Sequence, residues 1–201
     1  MQGMIPTSGP GSGPEQPSAQ TIFSSPRERR LWLWTAVVIA AIFTALFLGR
    51  PLAGLLREQG LLGAAFALAL LLVGSAVLTL AVRARVSGLE IGIGLGVAAV
   101  FLLLWVRISL PEERTHLIEY GVLGALIAAA LQERAANGRS MPSPGLLAAA
   151  GTALVGGVDE GLQYFLPERV FDPRDLLFNL LAGLTAVVAG VALGRIRRPI
   201  R

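Results

Sequence analysis

The chain contains several uninterrupted apolar runs that are long enough to cross a lipid bilayer. Three of them cover residues 31–49, 61–82 and 91–106. About 20 apolar residues in a helix span the hydrocarbon core, which is about 30 Å thick. Hydrophobic residues make up 54% of the chain and charged residues only 15%, too few polar groups to cover a water-soluble surface. The sequence therefore predicts an all-α integral membrane protein.

Three further spans are predicted over residues 111–135, 143–165 and 172–194. Each begins at or next to a proline, whose fixed φ suits the first helical turn. Ser143 and Asp172 stand directly before two of these prolines and can cap the helix. The chain is thus expected to form a polytopic transmembrane bundle of about six spans.

The two ends of the chain differ from the spans in composition. Residues 1–25 are rich in Gly, Pro and Ser and predict a disordered tail, and residues 195–201 form a short basic tail. All 17 basic residues are arginine, and eleven of them flank the side that carries both termini, against six on the other side. The positive-inside rule then places both termini in the cytoplasm. Arginines beside spans, without interleaved aromatics, argue against a nucleic-acid partner.

Polar residues border the last three spans on the extracytoplasmic side. The stretches are PEERTHLIEYG (111–121), VDEGLQYF (158–165) and DPRDLLFN (172–179). At 1.5 Å per residue, His116, Asp159 and Asn179 would each lie about 7 to 9 Å inside the helix end. Polar neighbours three or four residues apart share a helix face. We therefore expect one polar site between these three helices.

The same stretches carry a resemblance to a known family. EERTHLIEYGVLG followed by VDEGLQYFLPERVFDPRDLLFNLLAG resembles the VanZ-like membrane proteins. The shared pattern is an acidic residue four before a His, a Tyr four after it, DExxQ, a P-x-R turn, an Asp, and an Asn ahead of a Gly. The resemblance covers residues 89–194 as a four-helix membrane domain and leaves residues 26–88 as two additional N-terminal helices.

The resemblance implies a site and a setting. The family takes its name from a protein linked to teicoplanin resistance, which implies a role in the cell envelope and a place in a bacterial cytoplasmic (inner) membrane. The candidate catalytic residues are His116, Asp159 and Glu160. The candidate substrate-binding residues are Glu112, Tyr120, Gln163, Arg169, Asp175 and Asn179, and Gly183 completes the pattern.

Other site chemistries find less support in the sequence. One His among several carboxylates could ligate a metal, but there is no HExxH motif and no second His, so no metal or other cofactor is predicted. No Cys is present to serve as a nucleophile or thiolate ligand. A G-x-S-x-G motif is also absent, and Ser109 is a weak nucleophile candidate.

Three hypotheses on function follow. In the first, the polar site binds or processes a membrane lipid or a lipid-linked envelope intermediate, with His116 and an acidic residue as acid and base. In the second, the protein is a small transporter or proton-coupled carrier, although no inverted repeat is evident. In the third, the polar residues are interhelical hydrogen-bond contacts of a non-catalytic assembly protein.

Overall fold

The computed structural model describes residues 22–84, 86–108, 114–166 and 173–196, and these residues form six α-helices. The helices are Pro26–Glu58 (α1), Leu62–Ala84 (α2), Gly88–Arg107 (α3), Arg114–Ala136 (α4), Pro144–Tyr164 (α5) and Pro173–Ile196 (α6). No strand occurs within these ranges. The all-α prediction is therefore confirmed for the described part of the chain.

Four helices are long and apolar enough to cross a membrane among the described residues. They comprise Pro26–Gly49 together with α3, α4 and Leu176–Ile196, and a bent pair around the α1–α2 turn raises the number to five. The chain thus has the character of a multi-pass membrane protein. α5, which was predicted as a span over residues 143–165, is not among these helices. Its glycines and polar side chains lower its hydropathy.

The first predicted span, residues 31–49, ends at the same residue as the candidate membrane span Pro26–Gly49. The helix itself does not end there, because α1 begins at Pro26 and continues through Pro51 to Glu58. Proline lacks the N–H that would bond four residues back, which weakens a helix without always ending it. Here Pro51–Glu58 forms two further turns, and the chain then reverses at Gly60, whose φ is +70°. Pro51–Glu58 and Leu62–Ala69 meet at 117°.

Local signals account for the other helix starts. Ser87 and Glu90 form a capping box at α3, with each side chain accepting a hydrogen bond from the other residue's backbone N–H. α5 and α6 begin at Pro144 and Pro173, as predicted. The predicted capping role of Ser143 is wrong, because its side chain makes no cap hydrogen bond. Asp172 lies outside the described residues.

α4 lies at the centre of the bundle, where it packs against α1, α3, α5 and α6. It runs parallel to α6 and antiparallel to α1 and α5. We call the end of the bundle where α4 begins and α5 ends the site end. The opposite end, where α1 begins and α4 ends, is the terminal end.

Small residues allow α4 to approach its neighbours closely. A Cβ added to Gly124 would lie 2.8 Å from the carbonyl oxygen of Gly183 in α6. A Cβ added to Gly121 would lie 2.6 Å from the Phe101 ring of α3. Contacts of this kind replace the hydrophobic effect, which does not drive helices together in lipid. These glycines therefore set the separation and rotation of the helices that carry the polar residues.

Charged and polar residues join α1 to α4 at the terminal end. The carboxylate of Glu28, fully buried, accepts hydrogen bonds from Ser24, from the indole N–H of Trp32 and from Arg134 Nη1, the last at 2.8 Å. Ser25 donates to Glu133 at 2.8 Å. Residues 22–25, which the sequence assigns to the disordered tail, are thus bound to the bundle. Residues 1–21 lie outside the described residues.

Candidate functional site

Five polar side chains lie inside the bundle near the site end, where α4, α5 and α6 meet. Each of their residues is at most 3% exposed: Tyr120, Asp159, Glu160, Gln163 and Asn179. Polar and ionisable residues inside a membrane are costly, face the bundle interior and mark functional sites. We refer to these five residues and the adjacent His116 as the polar cluster.

Asp159 joins α5 to α4 through two side chains. Tyr120 Oη donates a hydrogen bond to Asp159 Oδ2 at 3.0 Å, and His116 Nδ1 lies 3.9 Å from the same oxygen. His116 and Tyr120 are four residues apart and therefore share a face of α4. The structure thus brings an imidazole, a phenol and a carboxylate together between two helices, at the helix faces that the spacing predicts.

His116 lies at the edge of the polar cluster. Its side chain is 14% exposed, whereas that of Asp159 is 1% exposed. His116 Nδ1 also lies 3.3 Å from Glu119 Oε2, one turn further along α4. The imidazole nitrogen therefore faces two carboxylates, one from each helix.

Glu119 is the residue that the site prediction missed. The sequence places it near His116, but the family pattern does not include it, and it was not assigned to the site. Its side chain is 25% exposed and contacts His116. The signal that could have identified it is its i,i+3 spacing from His116, which puts both side chains on one face of the helix.

The second half of the polar cluster is formed by α5 and α6. Gln163 Nε2 donates to Glu160 Oε1 at 3.3 Å. Asn179 is 1% exposed, and both polar atoms of its side chain lack a hydrogen-bond partner within the described part of the chain. A buried amide left unpaired costs about 1–3 kcal/mol. Asn179 therefore has unused hydrogen-bonding capacity.

Gly156 explains how Asn179 reaches the α4–α5 interface. A Cβ added to Gly156 would lie 3.4 Å from the Tyr120 ring and 3.8 Å from Asn179 Cβ. The glycine thus sits where the side chains from α4 and α6 converge on α5. A larger residue at this position would crowd both of them.

Three of the predicted site residues are not placed by the structure. Glu112 and Arg169 lie outside the described residues. Asp175 lies in the first turn of α6, but its side chain is outside what the structure describes. Their assignment to the site remains a prediction.

The donor set of the polar cluster suits proton transfer and hydrogen bonding. Within residues 22–84, 86–108, 114–166 and 173–196, no group of three or more His, Cys, Asp or Glu is arranged to hold a metal ion. An imidazole beside a buried carboxylate is a common acid–base pair, and the Tyr120 hydroxyl orients that carboxylate. The cluster can therefore hold or move a proton and orient a polar ligand.

Replacing Tyr120 with Phe is expected to lower the stability of the bundle by about 1–3 kcal/mol. The change removes the hydrogen bond to the buried Asp159 carboxylate and leaves that acceptor with one donor fewer. Tyr164→Phe is the matched control, since Tyr164 is 72% exposed. Thermal midpoints of the two purified variants in mild detergent measure the difference. Equal midpoints would show that the Tyr120–Asp159 hydrogen bond contributes nothing to folding.

Comparison with protein-family models, with curated proteins and with solved structures gives no match.

Proposed function

We propose that the polar cluster is the site at which a VanZ-like membrane protein binds or processes a membrane lipid or a lipid-linked cell-envelope intermediate. The observation that carries the proposal is the convergence of His116, Tyr120 and Asp159, from two helices, inside an apolar bundle. A bundle that served only as a membrane anchor would gain nothing from burying a carboxylate and an imidazole together. Resistance to glycopeptides such as teicoplanin is the phenotype that the resemblance suggests.

Burial divides the roles of the candidate catalytic residues. His116 is the partly exposed member of the pair, so we assign to it the proton exchange with the substrate, through Nε2. Asp159, fully buried, acts through His116 by orienting the imidazole and stabilising its charged form. Glu160 is equally buried and orients Gln163. Both acids are thus positioning residues in this proposal.

The remaining side chains would bind the polar part of the substrate. Asn179 brings an amide with unused donors and an unused acceptor. Arg169, Glu112 and Asp175 complete the site on the basis of the motif alone, with Arg169 as the contact to an anionic group. Hydrolysis and group transfer at the substrate both fit an acid–base pair of this kind.

The proposal includes the arrangement in the membrane. All six helices would cross a bacterial cytoplasmic membrane, with α5 shielded by α4 and α6 because its acids face inwards. Both termini would lie in the cytoplasm, which places the site end on the extracytoplasmic side. A substrate could then enter the site from the outer leaflet.

Alleles of His116 and Asp159 test the proposal in a bacterium that lacks its own copy of the gene. His116→Ala and Asp159→Asn should fail to restore teicoplanin resistance and envelope lipid composition, whereas Tyr164→Phe should restore both. Immunoblots of membrane fractions must show equal abundance of all variants. Full restoration by both His116→Ala and Asp159→Asn would rule out the proposed site.

A second candidate function is that of a non-catalytic assembly protein, and the complete burial of Tyr120 and Asp159 favours it. Interhelical hydrogen bonds of this kind contribute about 1 kcal/mol each in membranes. In this case His116→Asn, which keeps a hydrogen-bonding side chain but loses the acid–base function, should retain the phenotype. Loss of the phenotype in His116→Asn at normal abundance decides for the catalytic proposal.

A further inference from the structure

An apolar groove lies beside the polar cluster at the site end, where the end of α1, the start of α2, the end of α3 and the start of α4 meet. Its volume is about 340 Å³, within the range of about 300–1,000 Å³ that is typical of small-molecule sites. Side chains that line it include Leu52, Leu56, Phe66, Trp105, Ile118 and Glu119. We call this feature the apolar groove.

The bend between α1 and α2 creates the apolar groove. The turn at Gly60 directs α2 away from the axis of Pro51–Glu58 at 117°. Small residues at Ala53 and Ala65 line the space between the helices and do not fill it. The groove thus follows from the continuation of α1 beyond Pro51.

A hydrocarbon chain suits the walls of the apolar groove. Leu56, Phe66 and Ile118 offer no hydrogen bonds, and water is retained in a cavity only where it finds two to four polar partners. The groove lies among helices that expose large apolar side chains all around, such as Leu52 at 56%. In a bilayer, acyl chains are the molecules that adjoin such a surface.

Glu119 connects the apolar groove to the polar cluster. Its side chain lines the groove, and its Oε2 lies 3.3 Å from His116 Nδ1. His116 in turn lies 3.9 Å from Asp159. A molecule in the groove therefore lies one side chain away from the candidate acid–base pair.

Arg114 provides a fixed positive charge beside the same groove. Its guanidinium carbon lies 5.3 Å from the ring centroid of Trp105, a groove residue. Its Nε and Nη2 donate to the carbonyl oxygen of Ile108 at 3.2 and 3.1 Å. The neighbouring Thr115 also lines the groove. An immobilised guanidinium at this place complements a phosphate, which Arg binds through several N–H groups.

We infer that the apolar groove binds one hydrocarbon chain of a phosphate-headed membrane lipid, with the phosphate at Arg114 and the chain between α1, α2 and α4. The inference rests on the proposed function and names the substrate class of the same site. The chain passes Glu119, so the region next to the phosphate lies close to His116. The chemical bonds near the lipid phosphate are then the ones within reach of the polar cluster.

Photolabelling of the full-length protein in nanodiscs tests the inference. The probes are a phosphatidic acid with a diazirine in one acyl chain and a diacylglycerol with the same labelled chain. Mass spectrometry should locate the phosphatidic acid label on peptides of α1, α2 and α4 that line the groove. Ala65→Trp should reduce this labelling about tenfold, the effect of losing a well-fitted contact of moderate strength.

Matched variants separate the groove from ordinary contact with lipid. Ala67→Trp places the same ring on the exposed face of α2, outside the groove, and should leave the labelling unchanged. Ala53→Leu fills the groove from α1 with a smaller change, in case Ala65→Trp does not fold. Arg114→Gln should lower phosphatidic acid labelling to the level seen with diacylglycerol.

Two results would overturn the inference. The first is equal labelling of Ala65→Trp, Ala53→Leu and Ala67→Trp, which indicates annular lipid only. The second is equal labelling of the unaltered protein by both probes, which indicates a groove without selectivity for phosphate. The phenotype of His116→Ala is measured in cells and does not depend on either result, so failure of the proposed function is recognised separately.

Discussion

Gly124→Leu is expected to prevent the bundle from folding. A Cβ at this position would lie 2.8 Å from the carbonyl oxygen and 3.1 Å from the Cα of Gly183. Both atoms belong to the backbone of α6, so neither can be displaced by a change of rotamer. The side chain can be accommodated only if α4 and α6 separate. Overpacking typically costs about 1–3 kcal/mol and occasionally more, and the upper end applies here because a backbone has to move.

Gly157→Leu is the matched control for this prediction. Gly157 is exposed on α5, and a Cβ added there meets nothing within 4 Å. Leucine favours a helix over glycine by about 0.5–1 kcal/mol, so the control should be as stable as the original protein or slightly more so. Size-exclusion chromatography after stepwise heating in detergent measures the midpoint of both variants. A monodisperse Gly124→Leu protein with an unchanged midpoint would contradict the close contact of α4 and α6.

Arg134→Met is expected to destabilise the terminal end of the bundle by about 3 kcal/mol. The substitution removes the charged partner of Glu28, whose carboxylate is fully buried. Loss of one member of a buried ion pair costs about 3–5 kcal/mol, because the other charge stays buried without it. The lower value applies here, since the Arg134 side chain is 31% exposed and Glu28 keeps its bonds to Ser24 and Trp32.

A double-mutant cycle with Glu28→Gln isolates the contribution of the pair. The combination of Glu28→Gln and Arg134→Met should be more stable than the sum of the single effects predicts, because no uncompensated charge is left. Arg83→Met is the control, since Arg83 is exposed on α2. If Arg134→Met and Arg83→Met have the same thermal midpoint, or if the cycle shows no coupling, the ion pair between Glu28 and Arg134 does not stabilise the bundle.

The helices that are predicted best are those with local signals at their ends. The start of α5 at Pro144 and that of α6 at Pro173 follow from the fixed φ of proline. α3 was predicted over residues 91–106 and covers Gly88–Arg107, because Ser87 and Glu90 place the cap one turn earlier. Prolines and capping boxes act on residues within one turn of themselves, so helix starts of this kind can be predicted from the sequence alone.

The path of the chain around Pro51 could not be predicted in the same way. A proline after a long apolar run usually ends a helix, and the choice between ending and kinking depends on what the next turns contact. Here Leu52 and Leu56 line the groove against α2 and α4. That contact is tertiary, and neither its presence nor the resulting bend can be derived from local spacing.

For the polar cluster, the faces were predictable but the pairs were not. The four-residue spacing of His116 and Tyr120 puts both side chains on one face of α4. Whether Asp159 or Glu160 meets them depends on the rotation of α5 about its axis. Close contacts at small residues such as Gly156 determine that rotation, and these depend on all three helices together. The hydrogen bond from Tyr120 to Asp159 is therefore a result of the structure.

The central position of α4 has a consequence for biosynthesis. Tyr120 finds its acceptor on Asp159, 39 residues later in the chain. Ribosomes add about 5–20 residues per second, so Asp159 is synthesised about 2–8 s after Tyr120. During this interval the Tyr120 hydroxyl has to find another hydrogen-bond partner, because an unpaired polar group in hydrocarbon is costly. The environment of α4 is therefore completed only by α5, a helix that is synthesised after it.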